Sequence, residues 1–230
     1  MAKKINVLYI EGKSKLKDED YFIDSNFIKT LPKEVLLAYS VQFKGQAQAM
    51  RNALEKNKIR ILGFKQVLGC TKLAEKEKRC PILLIGNGMF HALNLAVQSR
   101  HPVLLYSNGS SRLIGKKDIE SIEKKKSAAL SKFFSLDEIG ILVSTKPGQE
   151  KLKEAEKLKE KILKKYPQKK VFIFISDSIN MHEFQNFGIE IFINTACPGL
   201  ALDSAKILNA DDILPFLQAK RPYFSKPKSL

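Results

Sequence analysis

The sequence predicts an α/β fold built as two tandem domains, each with a mostly parallel sheet of four to five strands flanked by helices. Three observations carry this. Short, continuous apolar runs recur at residues 35–41, 81–86, 139–143, 171–175 and 189–193, the pattern of strands buried on both faces of a parallel sheet. Segments with apolar residues at helical spacing alternate with them. A Ser-, Asn- and Gly-rich stretch at 107–115 interrupts the alternation midway along the 230 residues, a length that suits two domains of ordinary size.

Residues 5–10 read as a buried strand, within a leading segment 4–11, and a charged link follows at 13–20. Phe22, Ile23, Phe27, Ile28 and Leu31 have helical spacing, and Pro32 ends that helix. The strand at 35–41 is closed by Gln42-Phe43. A helix follows at 46–56 with Ala47, Met50, Ala53 and Leu54 on one face, and a strand at 59–62 leads to Gln66-Val67-Leu68-Gly69-Cys70. Next come the strand 81–86, the turn Gly86-Asn87-Gly88, a helix at 89–97 and a strand at 102–106. The loop 107–115 is the expected boundary, giving domains 1–108 and 109–219 and a loose basic tail at 220–230.

The second domain opens with a long basic helix at 117–134. The strand 139–143 ends in Ser144-Thr145-Lys146-Pro147-Gly148-Gln149. A helix reaching Tyr166 sets Leu152, Ala155, Leu158, Ile162, Leu163 and Tyr166 on one face. A strand at 171–175, a short helix at 179–187 and the strand 189–193 lead to Asn194-Thr195-Ala196-Cys197-Pro198-Gly199, and a helix at 211–218 closes the domain.

Composition narrows the function classes. No uncharged apolar run approaches the roughly 18–20 residues that span a bilayer. The basic start is followed by an apolar stretch broken at Asn6 and ended at Glu11, which reads as a strand rather than a signal peptide. A cytoplasmic protein is expected, with no membrane partner. The net charge of +16 attracts acidic macromolecules. Many lysines, however, lie in Lys/Glu-mixed segments such as 150–165, and there is no tryptophan and no basic–aromatic ladder for stacking bases. General lysine enrichment is the preferred reading over a nucleic-acid partner. Cysteines stand at 70, 80 and 197. An odd number in a reducing compartment argues against a disulfide framework, and the spacings fit no zinc or C-x-x-C pattern.

Cys70 and Cys197 both follow strands, on the side where parallel sheets gather ligands. Either two similar units each offer a thiolate to a shared site, or these are small residues in ordinary loops. Cys80 directly precedes a strand and is expected to be structural, at the opposite sheet edge. Gly86-Asn87-Gly88 suits either a phosphate at a helix N-terminus or a plain strand-to-helix turn; it completes no G-x-G-x-x-G and no P-loop. His91 reads as a half-buried, hydrogen-bonded histidine. Ser144 to Gln149 offers hydroxyls, an amine and exposed backbone to a polar ligand such as an amino-acid moiety. Neither G-x-S-x-G nor H-E-x-x-H occurs.

Five ordered motifs carry a family resemblance: Val41-Gln42-Phe43; Gln66 to Thr71; Ile85-Gly86-Asn87-Gly88-Met89-Phe90-His91; Ser144 to Gln149; and Asn186-Phe187 through Asn194-Thr195-Ala196-Cys197-Pro198 to Asp203. In this order and spacing the chain resembles the diphthamide-synthesis radical enzymes, the 2-(3-amino-3-carboxypropyl)histidine synthases, from about Val35 to Asp203. The resemblance implies three homologous α/β domains, each giving one cysteine to a [4Fe–4S] cluster. S-adenosylmethionine binds the open iron, and an electron from the cluster cleaves its bond from sulfur to the aminocarboxypropyl carbon. The radical attacks an imidazole carbon of a histidine on translation elongation factor 2. On this resemblance, Cys70 is the middle-domain ligand and Cys197 the last-domain ligand. Gln42, Gly86, Gly88, Ser144, Lys146 and Gln149 are the cofactor-binding candidates.

The chain also departs from the family pattern. It is expected to lack the first domain, and with it the third cysteine, so that a separately encoded chain or a full-length paralogue completes the site. Gly199 stands where the family commonly has Arg, Ala92 where Pro often follows the His, and Ser107-Asn108 where Asp-Pro is usual. The expected function is a subunit of the enzyme for the first step of diphthamide biosynthesis. A non-catalytic scaffold for the translation factor or for a catalytic paralogue is the alternative.

Overall fold

A computed structural model describes residue 21 and residues 23–219. The expected strand at 5–10, the link at 13–20, Phe22 and the tail 220–230 lie outside the described residues. The chain divides into two compact units, Met1–Ile122 and Glu123–Leu230.

In the first unit, helix α1 (Ser25–Lys29) is shorter than the spacing predicted, because it begins only after Asp24, whose side chain accepts from the Asn26 N–H at 2.9 Å. Strand β1 (Glu34–Tyr39) leads through a 3-10 turn at Val41–Phe43 into α2 (Lys44–Lys56) and β2 (Arg60–Gln66). Strand β3 (Ile82–Ile85), α3 (Met89–Ser99) and β4 (Val103–Ser107) follow. The sheet order is β2-β1-β3-β4-β5, parallel except at its last pair. β1 and β3 are central and buried, which is why they read as continuous apolar runs. Val35, Leu37 and Tyr39 face Met50 and Leu54 of α2, whereas Leu36 and Ala38 share a core with Ala92, Leu95 and Ala96 of α3.

The stretch 107–115, expected as a loop, is a hairpin. Asn108 and Gly109 both take positive φ (46° and 83°), the two-residue turn that Asn-Gly favours. It pairs β5 (Ser110–Ile114) antiparallel with β4.

Helix α4 (Lys116–Ser135) runs to β6 (Glu138–Ser144), followed by α5 (Leu152–Lys165), β7 (Lys170–Ser176), β8 (Phe192–Asn194), α6 (Leu200–Asp203), β9 (Ile207–Asn209) and α7 (Ala210–Gln218). The sheet order is β7-β6-β8-β9, all parallel. On one face Ile139, Ile141, Val143, Ile191 and Ile193 pack with Phe133, Leu158, Ile162 and Ile213 from the helices. The opposite face carries Leu142, Phe174 and Phe192 under Phe184 and Ile189. The helix expected at 179–187 is instead a set of turns with one 3-10 turn, Gln185–Phe187, ended by Gly188 at φ 70°. The last apolar run is strand only at Phe192–Asn194. No described helix is long and apolar enough to cross a membrane.

Candidate metal and cofactor site

Each sheet changes direction of growth at one place: between β1 and β3 in the first unit, and between β6 and β8 in the second. Loops leaving the carboxyl ends there diverge and leave room for a ligand. In the first unit the sequence candidates converge on that end. Gln42 lies exposed in the turn after β1. Gly86 and Gly88 join β3 to α3, and Cys70 follows β2, the neighbour of β1.

The glycines have contact reasons to be glycines. A Cβ on Gly86 would stand 2.8 Å from the Ser40 hydroxyl, and one on Gly88 2.4 Å from His91 Nδ1. Gly88 caps α3 without a side-chain bond, so the first N–H groups of α3 face the end of the sheet. His91 is half-buried as expected, but its buried Nδ1 has no hydrogen-bond partner among the described residues. Burial lowers its pKa below the ordinary 6.5.

The Cys70 loop is held from several sides. Val67 is buried, and its N–H donates to Tyr39 O at 2.8 Å. Leu68 N–H donates to Thr71 Oγ1 at 2.7 Å, and Thr71 N–H to Leu68 O at 3.0 Å. Gln98 and Asn94 of α3 both donate to Thr71 O, at 2.8 and 3.3 Å. The Phe90 ring occupies the space where a Gly69 side chain would stand, 1.6 Å from an ideal Cβ. Cys70 itself is exposed.

In the second unit Ser144 ends β6, is 2% exposed, and accepts from the Lys146 N–H at 3.1 Å. Gln149 N–H donates to Lys146 O at 2.9 Å, closing the turn; Lys146 is exposed and Gln149 half-buried. Cys197, half-buried, follows β8 next door. Thr195 donates through N and Oγ1 to Leu142 O (3.1 and 2.8 Å), tying the start of that loop to β6. A cleft of about 310 Å³ borders this loop, lined by Thr195, Ala196, Pro198, Lys151 and Lys161.

Sequence reasoning gave no role to Asn194, named only within its motif, and did not single out Asn209; the two end β8 and β9 in register. Asn194 Nδ2 donates to Cys197 O and Asn209 Oδ1, both at 2.8 Å, and Asn209 Nδ2 to Pro198 O at 3.2 Å. The available signal was an amide closing a buried apolar run twice in succession. Cys80 lies at the amino end of β3, packed against the core, and its Sγ donates to Lys76 O at 3.3 Å.

Thiols on exposed or half-exposed strand-end loops suit iron–sulfur ligation in donor type and place. The number does not suffice: among the described residues no three Cys, His, Asp or Glu side chains are grouped to hold a metal. The two thiols therefore fit as single ligands, one per unit, and not as a complete set.

The family model of the diphthamide synthesis proteins matches residues 1–209. The chain is 32% identical over 188 residues to the 2-(3-amino-3-carboxypropyl)histidine synthase of Pyrococcus horikoshii, covering 76% of this chain and 53% of that protein. It is 25% identical over 194 residues to the enzyme of the same name from Methanocaldococcus jannaschii, covering 82% and 51%. The chain thus spans about half the length of the curated relatives it matches. Among solved structures, Dph2 from Pyrococcus horikoshii with a 4Fe-4S cluster superposes with a TM-score of 0.69 at 26% identity, covering 86% of this chain and 61% of that one.

Proposed function

Because the chain belongs to the diphthamide synthesis protein family, we propose that it serves the first step of diphthamide formation. That step transfers a 3-amino-3-carboxypropyl group from S-adenosylmethionine to a histidine of translation elongation factor 2. Cys70 and Cys197 would each give a thiolate to a [4Fe–4S] cluster. A partner, either a small chain carrying the first domain or a full-length paralogue, supplies the third. The observation that carries the reading is one strand-end cysteine per unit, each on a loop fixed by its own hydrogen bonds, in a chain whose relatives are named as this synthase. The cluster in the Pyrococcus horikoshii structure supports the choice of cofactor.

When bound, the cluster would supply one electron and an iron with an open coordination position. The rest falls to the chain. Gln42 and the backbone at Gly86 and Gly88 offer donors and close approach for S-adenosylmethionine at the first switch point. In the second unit, Lys146 and Gln149 offer a cation and an amide to a polar ligand such as an amino-acid moiety, on a turn held by the buried Ser144 hydroxyl. Gly199 and Ser107-Asn108 depart from the family's residues and bear on substrate positioning; Ala92, also a departure, is buried in the core of the first unit. A cytoplasmic setting, where thiols stay reduced, suits this chemistry.

The test is anaerobic reconstitution of the chain with its candidate partner, reading iron and sulfide content and S-adenosylmethionine cleavage. Cys70→Ala and Cys197→Ala should each lower both readings to background, while Cys80→Ala leaves them unchanged. A complex with every cysteine present that holds no iron overturns the reading. The incomplete ligand set among the described residues favours one rival, a non-catalytic scaffold for the translation factor or a catalytic paralogue. That rival predicts unchanged diphthamide formation in the Cys70→Ala/Cys197→Ala double variant.

A further inference from the structure

The second unit holds a cleft that the proposed chemistry does not use. It has a volume of about 310 Å³ and lies between α5 and the amino end of α7, with the loop after β8 as a third wall. Ligand sites for compact organic molecules start at about this size, roughly 300–1,000 Å³. Cys197, Ser144, Lys146 and Gln149 are not among the residues that line it.

Its charges are unevenly matched. Lys151, Lys157 and Lys161 stand along the α5 wall. Glu154, on the same wall, lies 3.7 Å from Lys151 and takes up that charge. Lys161 has Lys157, Leu158, Lys164 and Lys165 at the three- and four-residue spacings, so no carboxylate on α5 is placed to neutralise it. Lys157 and Lys161 make no ion pair among the described residues, although like charges one turn apart cost a helix stability. Facing them are the neutral Thr195, Ala196 and Pro198 and the start of α7 at Ala210, the positive end of that helix. Asp211 is the one carboxylate lining the cleft from that side. A concave site with an excess of one sign concentrates ligands of the other.

The remaining walls are apolar. Leu158 lies between the two lysines in sequence, 5% exposed, and Leu214 of α7 lines the cleft with it; both belong to the packing of the same core. We propose that this cleft binds a small organic phosphate monoester. Its phosphate sits between the ammonium groups of Lys157 and Lys161, and its apolar body lies against Leu158, Leu214 and Pro198. A phosphate suits the pair better than a carboxylate does, because it brings nearly two charges and three acceptor oxygens to two cations. A ligand seated there touches Ala196 and Pro198, the neighbours of Cys197 on either side, without needing the thiol. The site requires neither a cluster nor a partner chain, so its failure leaves the synthase reading untouched.

The probes are the four nucleoside 5′-monophosphates and phenyl phosphate, titrated separately into the full chain at fixed ionic strength. Calorimetry reads the affinity and amide NMR the place. At least one probe should bind with a dissociation constant below about 1 mM and shift the amides of Thr195, Ala196 and Ala210. The same molecule without its phosphate should bind at least about tenfold more weakly. Lys157→Gln/Lys161→Gln should weaken binding at least about tenfold with the circular dichroism unchanged. Lys153→Gln/Lys164→Gln removes the same charge from exposed positions of α5 outside the cleft and should change affinity by less than about twofold. The proposal is overturned if no probe binds below about 1 mM, or if removing the phosphate leaves affinity unchanged. Equal losses in the two double variants also overturn it, since they mark general attraction to a chain of charge +16.

Discussion

Asn194 fixes the Cys197 loop from both ends of its amide. Nδ2 donates to the carbonyls of Cys197 and Asn209, and Oδ1 accepts from the Ala196 N–H at 2.9 Å, with the residue only 3% exposed. Asn194→Ala would leave these groups without their partner, at a cost of about 1–3 kcal/mol. A urea titration should show that loss, and Cys197 should react faster with a thiol reagent than in the parent chain. Cys197 was legible because a strand pattern ends just before it. The role of Asn194 was not, because its partner Asn209 is reached only when β9 forms beside β8. His91 contributes a pH dependence of its own. Its folded-state pKa is lowered by burial below 6.5, so as pH falls below 6.5 the unfolded chain takes up a proton that the folded chain refuses. Stability should therefore fall from pH 6.5 downward and level off below the folded pKa. His91→Phe should flatten that limb of a stability-versus-pH curve; an unchanged slope would place its origin elsewhere.

Among the elements, the end of α4 depends on a lysine from the turn between α5 and β7. Lys169 is 3% exposed, and its Nζ donates to Phe133 O at 2.7 Å and Leu136 O at 2.6 Å. The ammonium also lies 5.2 and 5.7 Å from the Phe133 and Tyr166 ring centroids. Charge-assisted bonds to carbonyls at a helix C-terminus suit both the orphan acceptors and the helix dipole. Lys169→Met should cost about 1–3 kcal/mol in a thermal or chemical melt. Lys170→Met, at an exposed position, should stay within about 0.5 kcal/mol. In the sequence the two lysines look alike, since nothing local tells which one folds inward. Central strands β1, β3 and β6 were legible because burial on both faces makes them apolar throughout. The hairpin at β4–β5 was not, because its outer strand is polar and its Asn-Gly turn resembled a linker. β9, only three residues long, is too short to show a period.

At the scale of the whole molecule, the tandem α/β plan and the convergence of candidates on strand ends were both legible. They follow from chain order and from the rule that parallel sheets open at their carboxyl ends. The charge of +16 was less informative, since lysines mixed with glutamates on α5 mark a solvated face as readily as a binding one. What no reading of separate motifs reveals is how far a loop is already settled before any ligand arrives. The Cys70 loop has Thr71 O receiving Gln98 and Asn94, Leu68 and Thr71 bonded to each other, and Phe90 filling the space beside Gly69. Ordering a backbone residue costs roughly 1–2 kcal/mol in lost conformational entropy. Here that loss accompanies folding and is not deferred to the moment of binding. A group that bonds to the Cys70 thiol therefore meets a neighbourhood with little freedom left to surrender.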